Sequence, residues 1–135
     1  MNRNRAAVYA AVVLALVAAS AARAQSGDCN AATKEPIMHL DLPGRPFEPA
    51  ISTDGCWLFV TLTQADAAAG PGVAVVRRSG GTLSIVRRVS LQGSPTGAVL
   101  THDQKLLIVA DGGYLAFLDA TRLESGEGDP VLGYM

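Results

Sequence analysis

Charge is scarce in this chain. Only 17% of its 135 residues are charged, 11 basic and 12 acidic, for a formal net charge of −1. That excludes an acidic or basic tail protein and a highly charged disordered chain. Without a basic excess, nothing holds nucleic acid by counterion release. Histidine occurs twice, as His39 and His102, and neither has a His, Cys or carboxylate at metal-ligand spacing. No G-x-S-x-G surrounds Ser52, Ser84 or Ser94, so no serine-hydrolase elbow is expected. Gly70-Pro71-Gly72, Gly80-Gly81 and Gly112-Gly113 read as turns, and none opens a helix as a phosphate loop would. Cysteine also occurs twice and never as C-x-x-C, which removes a redox-motif reading. These patterns give no catalytic residue, no metal ligand and no cofactor.

The one long apolar stretch lies at the N-terminus. Asn2-Arg3-Asn4-Arg5 is a positive lead, Ala6 to Ala19 is an uncharged run of mostly Ala, Val and Leu, and Ala22-Arg23-Ala24 puts small residues at −3 and −1 before Gln25. This is the three-part pattern of a secretory signal peptide, with cleavage between Ala24 and Gln25. The apolar run is too short to span a bilayer comfortably, though an uncleaved anchor helix is the alternative. Cleavage leaves residues 25–135 with 8 basic and 12 acidic residues, and Gly plus Pro at about 19% against an average near 12%. The exported part is therefore turn-rich and mildly acidic. It has no membrane span, and its expected location is secreted or periplasmic.

Export implies an oxidising compartment, where an even cysteine count usually means a bridge. Cys29 and Cys56 are expected to pair, and closing the 27-residue interval between them stabilises by about 3.5 kcal/mol in the chain-entropy view. Two free thiols are the alternative. A metal site on the pair would need further ligands that the neighbouring sequence lacks.

A repeat runs through the rest at a constant offset of 49. Leu42, Gly44 and Pro46 meet Leu91, Gly93 and Pro95. Ile51-Ser52-Thr53-Asp54 meets Leu100-Thr101-His102-Asp103, and Trp57-Leu58-Phe59-Val60-Thr61 meets Leu106-Leu107-Ile108-Val109-Ala110. The first copy predicts strands over Ala50–Ser52, Trp57–Thr63, Val73–Arg78 and Leu83–Leu91, with a turn at Thr53-Asp54-Gly55 and a Gly-Gly hairpin over Ser79–Thr82. The second predicts strands over Ala98–Thr101, Leu106–Ala110, Leu115–Asp119 and Val131–Tyr134, with room for a helical turn only at Asp119–Leu123. A shorter loop there moves the third strand to an offset of 42, Val73 against Leu115. Near-continuous apolar runs suggest sheets buried on both faces.

Four antiparallel strands per 40–50 residues is the pattern of a β-propeller blade. The expected fold is all-β: a partial β-propeller of about two four-stranded antiparallel blades after a signal peptide. A small β-sandwich is the runner-up, but a sandwich needs no 49-residue self-similarity. The expected divisions are a signal peptide at 1–24, a lead-in at 25–35 and an incomplete propeller at 36–135. The last comprises a lone outer strand at 36–42, blade one at 43–92 and blade two at 93–135.

Gly44, Pro46, Asp54, Gly55, Leu58, Phe59, Val60 and Thr61 carry a further likeness, as do Gly93, Pro95, Gly97, Asp103, Leu107, Ile108, Val109 and Ala110 in the second copy. The pattern resembles the repeat of the YVTN-type, lactonase-like β-propellers over about 36–135. The second copy departs at Gln104, which replaces the turn glycine, and at Ala110-Asp111, where Thr-Asn is usual. The resemblance implies a ring of about seven blades closed by strands from both chain ends, with Pro36–Leu42 as an outer strand of the last blade. Two blades and one strand cannot form a ring of at least four. An N-terminal piece of a longer protein is therefore expected, or oligomeric closure of two-blade chains. Among fold-sharing members are hydrolases, surface proteins and binding modules, so the resemblance implies little about activity. The expected function is a binding or scaffold module without catalysis of its own, for a ligand or protein partner the sequence does not specify. The alternative is the N-terminal part of a lactonase-like hydrolase whose site needs other blades.

A few charged side chains stand out. Arg77-Arg78 and Arg87-Arg88 face each other across the Gly-Gly hairpin and would form a basic stripe, either for an anionic ligand or, with more weight, as protection of an outer edge. Asp103 aligns with the turn residue Asp54 and is expected to hold its own turn rather than act with His102. Arg45 and Glu48 are the most reactive-looking side chains of the loop before the first strand, without a catalytic assignment.

Overall fold

The computed structural model describes residues 29, 31, 37–64 and 70–135. The expected signal peptide, its Ala24–Gln25 cleavage point and most of the lead-in lie outside them. Among the described residues, eight strands and one short helix follow in chain order: β1 (Arg45–Ile51), β2 (Trp57–Gln64), β3 (Gly72–Ser79), β4 (Thr82–Ser90), β5 (Pro95–Leu100), β6 (Leu106–Asp111), β7 (Tyr114–Asp119), α1 (Ala120–Ser125) and β8 (Val131–Tyr134). They form two four-stranded antiparallel sheets, each in sequence order, β1-β2-β3-β4 and β5-β6-β7-β8. The fold is all-β with two blades, as the repeat predicts.

The two sheets share one register. Pro46↔Leu62, Pro49↔Val60, Ala50↔Phe59 and Ile51↔Leu58 in blade one become Pro95↔Asp111, Ala98↔Val109, Val99↔Ile108 and Leu100↔Leu107 in blade two. Both first strands bulge at the same place, between Pro46 and Pro49 and between Pro95 and Ala98. That bulge, on an edge strand, is where a sheet tolerates proline. It also explains why β1 starts at Arg45 and β5 at Pro95, ahead of the expected Ala50 and Ala98. The third strands repeat as well, Val60↔Ala74 against Val109↔Ala116. A second shared bulge follows Val75 in blade one and Phe117 in blade two.

Alternation gives each blade two faces. On the front of blade one, Ala50, Phe59, Val73, Val75, Val89 and Leu91 are buried against the back of blade two, where Leu107, Val109, Ala116 and Leu118 lie. Leu123 of α1 joins the same core. The back of blade one carries a second core, Val60, Leu62, Ala74 and Val76, against which Leu40 and Leu42 pack. In blade one only the middle strands β2 and β3 are mostly buried on both faces; the edge strands are not, and Ile51 of β1 is 57% exposed. On the front of blade two Val99 is 57% exposed and Leu115 37% exposed. The expected burial of whole sheets on both faces therefore holds only for the middle strands of blade one.

Segment 37–42, expected as a strand, is irregular. Among the described residues no strand pairs with it, and a strand exists only as a partner in a ladder. It is a strap instead, held by Leu40 and Leu42. The helical turn foreseen near Asp119 is α1, capped by the Asp119 carboxylate, which accepts from Arg122 N at 3.0 Å, and closed by Gly126 at φ 76°.

Candidate functional site

The turn between the first two strands is built twice from the same parts. In blade one the Ser52 hydroxyl donates to Asp54 Oδ1 at 2.5 Å and accepts from Trp57 N at 2.9 Å, while Asp54 Oδ1 accepts from Cys56 N at 2.9 Å. In blade two the Thr101 hydroxyl donates to Asp103 Oδ1 at 2.6 Å and accepts from Leu106 N at 3.1 Å, and Asp103 Oδ1 accepts from Lys105 N at 3.2 Å. Hydroxyl hydrogen bonds hold both carboxyls below the usual carboxylate range, from Ser52 on Asp54 and from Thr101 on Asp103. Asp103 is thus engaged in its turn, and His102 beside it is exposed.

Polar side chains also stitch the seam between the blades. Thr61, fully buried, donates from its hydroxyl to Thr96 O of blade two at 2.5 Å and accepts from Glu48 N at 3.0 Å. Ser94 Oγ donates to Thr63 O at 3.1 Å. Gln104 Oε1 accepts from Thr53 N at 2.9 Å. Arg87 reaches across the seam, donating to Arg122 O at 2.9 Å and Gly128 O at 2.6 Å. These carbonyls lie in and just beyond the last turn of α1, where a cation is favoured.

Arg87 changes the reading of the arginine doublets. Strand alternation sends one member of each doublet to each face, so no single basic stripe forms. Arg77 lies over the Trp57 ring, 5.6 Å from its centroid, on the front. Arg78 borders Leu58 and Leu83 on the back, and Arg88 sits opposite Ala74. Cys29 and Cys56 form the expected disulfide, with Cα atoms 5.3 Å apart, and so tie the lead-in to the turn of blade one.

Among the described residues, the surface grooves include three. One of about 310 Å3 on the front of blade two is lined by Glu48, Gly97, Val99, Ile108, Ala110 and Leu115. One of about 260 Å3 on the back of blade one is lined by Met38, Ile51, Gly55, Leu58, Arg78 and Leu83. The third, about 340 Å3, includes His39, Met38 and Thr82. Arg45 is exposed on β1 and reaches none of the three. Among the described residues no group of three His, Cys, Asp or Glu side chains is placed to hold a metal, and no helix is long and apolar enough to cross a membrane.

Two carboxylates stand apart. Burial pushes Glu124 up, with Asp54 adding to the shift. Asp111 is fully buried, and its Oδ2 accepts from Gly93 N at 2.9 Å. Tyr134 is raised by burial and then by Asp111. The seam roles of Thr61, Arg87 and Gln104 were not foreseen. The alignment of Gln104 with the turn glycine Gly55 held a signal, because φ is 61° at Gln104 and 69° at Gly55. No family model matches the chain, and no curated protein matches it.

Proposed function

We propose that this chain is an exported binding or scaffold module built from YVTN-type, lactonase-like propeller blades, without catalysis of its own. The observation that carries this reading is where its polar side chains go. Ser52, Asp54, Thr61, Thr101, Asp103 and Arg87 are spent on turns and on the seam between blades. What the surface offers instead is grooves and apolar sheet faces, the features of a contact surface. Export rests on the signal pattern of residues 1–24, and the Cys29–Cys56 bond suits an oxidising secreted or periplasmic setting.

Mass analysis of the protein recovered from the exported fraction is the first test. It should begin at Gln25 and weigh two hydrogens less than the reduced chain. Recovery in the cytoplasm with residues 1–24 attached would overturn the export reading. Incubation with aliphatic lactones, followed by acid release, tests the rest. A rate equal to buffer is expected. Turnover lost in His39→Ala or Glu48→Gln would favour the lactonase-like alternative instead.

A further inference from the structure

The Cys29–Cys56 bond ends in a turn that does not need it. Blade two builds the same turn with Lys105 at the position of Cys56. Gly55 N donates to Ser52 O at 2.9 Å in blade one, and Gln104 N to Thr101 O at 2.8 Å in blade two. Arg78 N donates to Cys56 O at 2.8 Å, and Ala120 N to Lys105 O at 2.9 Å. Asp54 accepts from the Cys56 amide as Asp103 accepts from the Lys105 amide. These bonds use the backbone of the position and not its side chain. A sulfur on Cys56 therefore serves something outside the turn.

What lies outside is the strap. The bond closes the chain from 29 to 56, a stretch that holds segment 37–42 and β1. β1 is fixed by its ladder to β2, whereas the strap has no ladder among the described residues. Its hold on the back of blade one is Leu40 and Leu42, both half-buried, packed against Val60, Leu62, Ala74 and Val76. Fixing the strap costs conformational entropy along its whole length, and two half-buried leucines offset only part of it. A covalent tie upstream supplies the rest by keeping the strap at high effective concentration over that face. The strap already starts beside the tie, because Met38 lines one groove together with Gly55, the residue before Cys56.

We infer that the Cys29–Cys56 bond is a redox latch on the strap. Closed, it keeps Leu40 and Leu42 on the back of blade one. A dithiol opens it: the S–S bond takes up two electrons and two protons, two thiols remain, and the reductant closes to its own disulfide. The strap then leaves the face and bares the apolar surface that the two leucines cover, while both sheets keep their registers. At 5% and 7% exposure the cysteines meet a reductant only when the lead-in opens locally. The latch therefore answers a sustained reducing environment rather than a passing one.

Thermolysin, which cuts before leucine, tests the latch at Leu40 and Leu42. The oxidised chain should resist cleavage there. Cys29→Ser opens the latch without touching the turn, and Cys56→Lys opens it with the residue blade two carries. Both variants should be cut within 37–42 about tenfold faster than the oxidised parent. A hydrophobic dye should brighten on both, as on the parent treated with dithiothreitol. Peptides from β2 and β3 should appear no faster than from the oxidised parent. A strap as resistant in Cys29→Ser as in the oxidised parent would overturn the inference. So would cleavage spread through β2 and β3 in that variant, since the bond would then hold the blade and not the strap.

Discussion

Gln104 of blade two accepts a hydrogen bond from the backbone N–H of Thr53 in blade one, at 2.9 Å, and holds φ at 61° to do so. Its amide also donates to Thr101 O at 3.0 Å, within its own turn. The equivalent position in blade one is Gly55, which meets positive φ without a Cβ. Blade two therefore accepts backbone strain at this corner, and the side chain that causes it joins the two turns.

Substitution separates the two effects. Gln104→Ala keeps the strain and loses both bonds, so it should destabilise by about 1–2 kcal/mol. Gln104→Gly loses the same bonds but relieves the strain, and should fall about 1 kcal/mol short of that loss. Urea unfolding of the two variants measures the gap, and equal midpoints would show that the backbone is unstrained.

Thr61 is the buried polar link of the seam. Thr61→Val preserves its shape but leaves Thr96 O and Glu48 N without their partner, at a cost of about 1–3 kcal/mol. Thr61→Ser keeps the hydroxyl and should lose less. Thermal melts of both variants decide, and a Val variant as stable as the parent would remove the seam role.

Arg87 clamps the blades through carbonyls at the end of α1. Arg87→Ala should cost about 0.3–1 kcal/mol at low ionic strength. The difference from the parent should shrink as salt rises. A melting temperature indifferent to both the substitution and salt would contradict the clamp.

Two carboxylates give opposite pH dependences. Asp54 is held below the usual carboxylate range by the Ser52 hydroxyl, so its contribution is present above the unfolded value and fades as pH falls through the lower folded one. Asp54→Asn should destabilise at neutral pH and lose that effect near about pH 2. Glu124 is raised by burial, so its unfolded form gives up the proton more readily and stability falls as pH rises through the carboxylate range. Glu124→Gln should stabilise at neutral pH and do nothing near about pH 3. Melting temperatures across that range check both signs.

The repeat made the strands legible because its residues speak locally. Apolar alternation, Asp54-Gly55 and Gly80-Gly81 mark strands and turns whatever surrounds them. The first strands were legible only in their second halves, because Pro46, Pro49 and Pro95 disguise a bulged edge strand as a loop. Segment 37–42 has the letters of a strand, yet a strand needs a neighbour that those letters do not contain. The seam was illegible for the same reason. Thr53 and Gln104, or Arg87 and Gly128, meet only after both blades have folded.

The central claim is that the two sheets are one blade built twice and stacked front to back. Cross-strand proton contacts by NMR test it most directly. They should pair Ala50 with Phe59 and Val99 with Ile108, and should place the Thr53 amide beside the Gln104 side chain. A slip of one residue in either sheet would turn its apolar set to the other face. That slip, or a Thr53 amide remote from Gln104, would contradict the account.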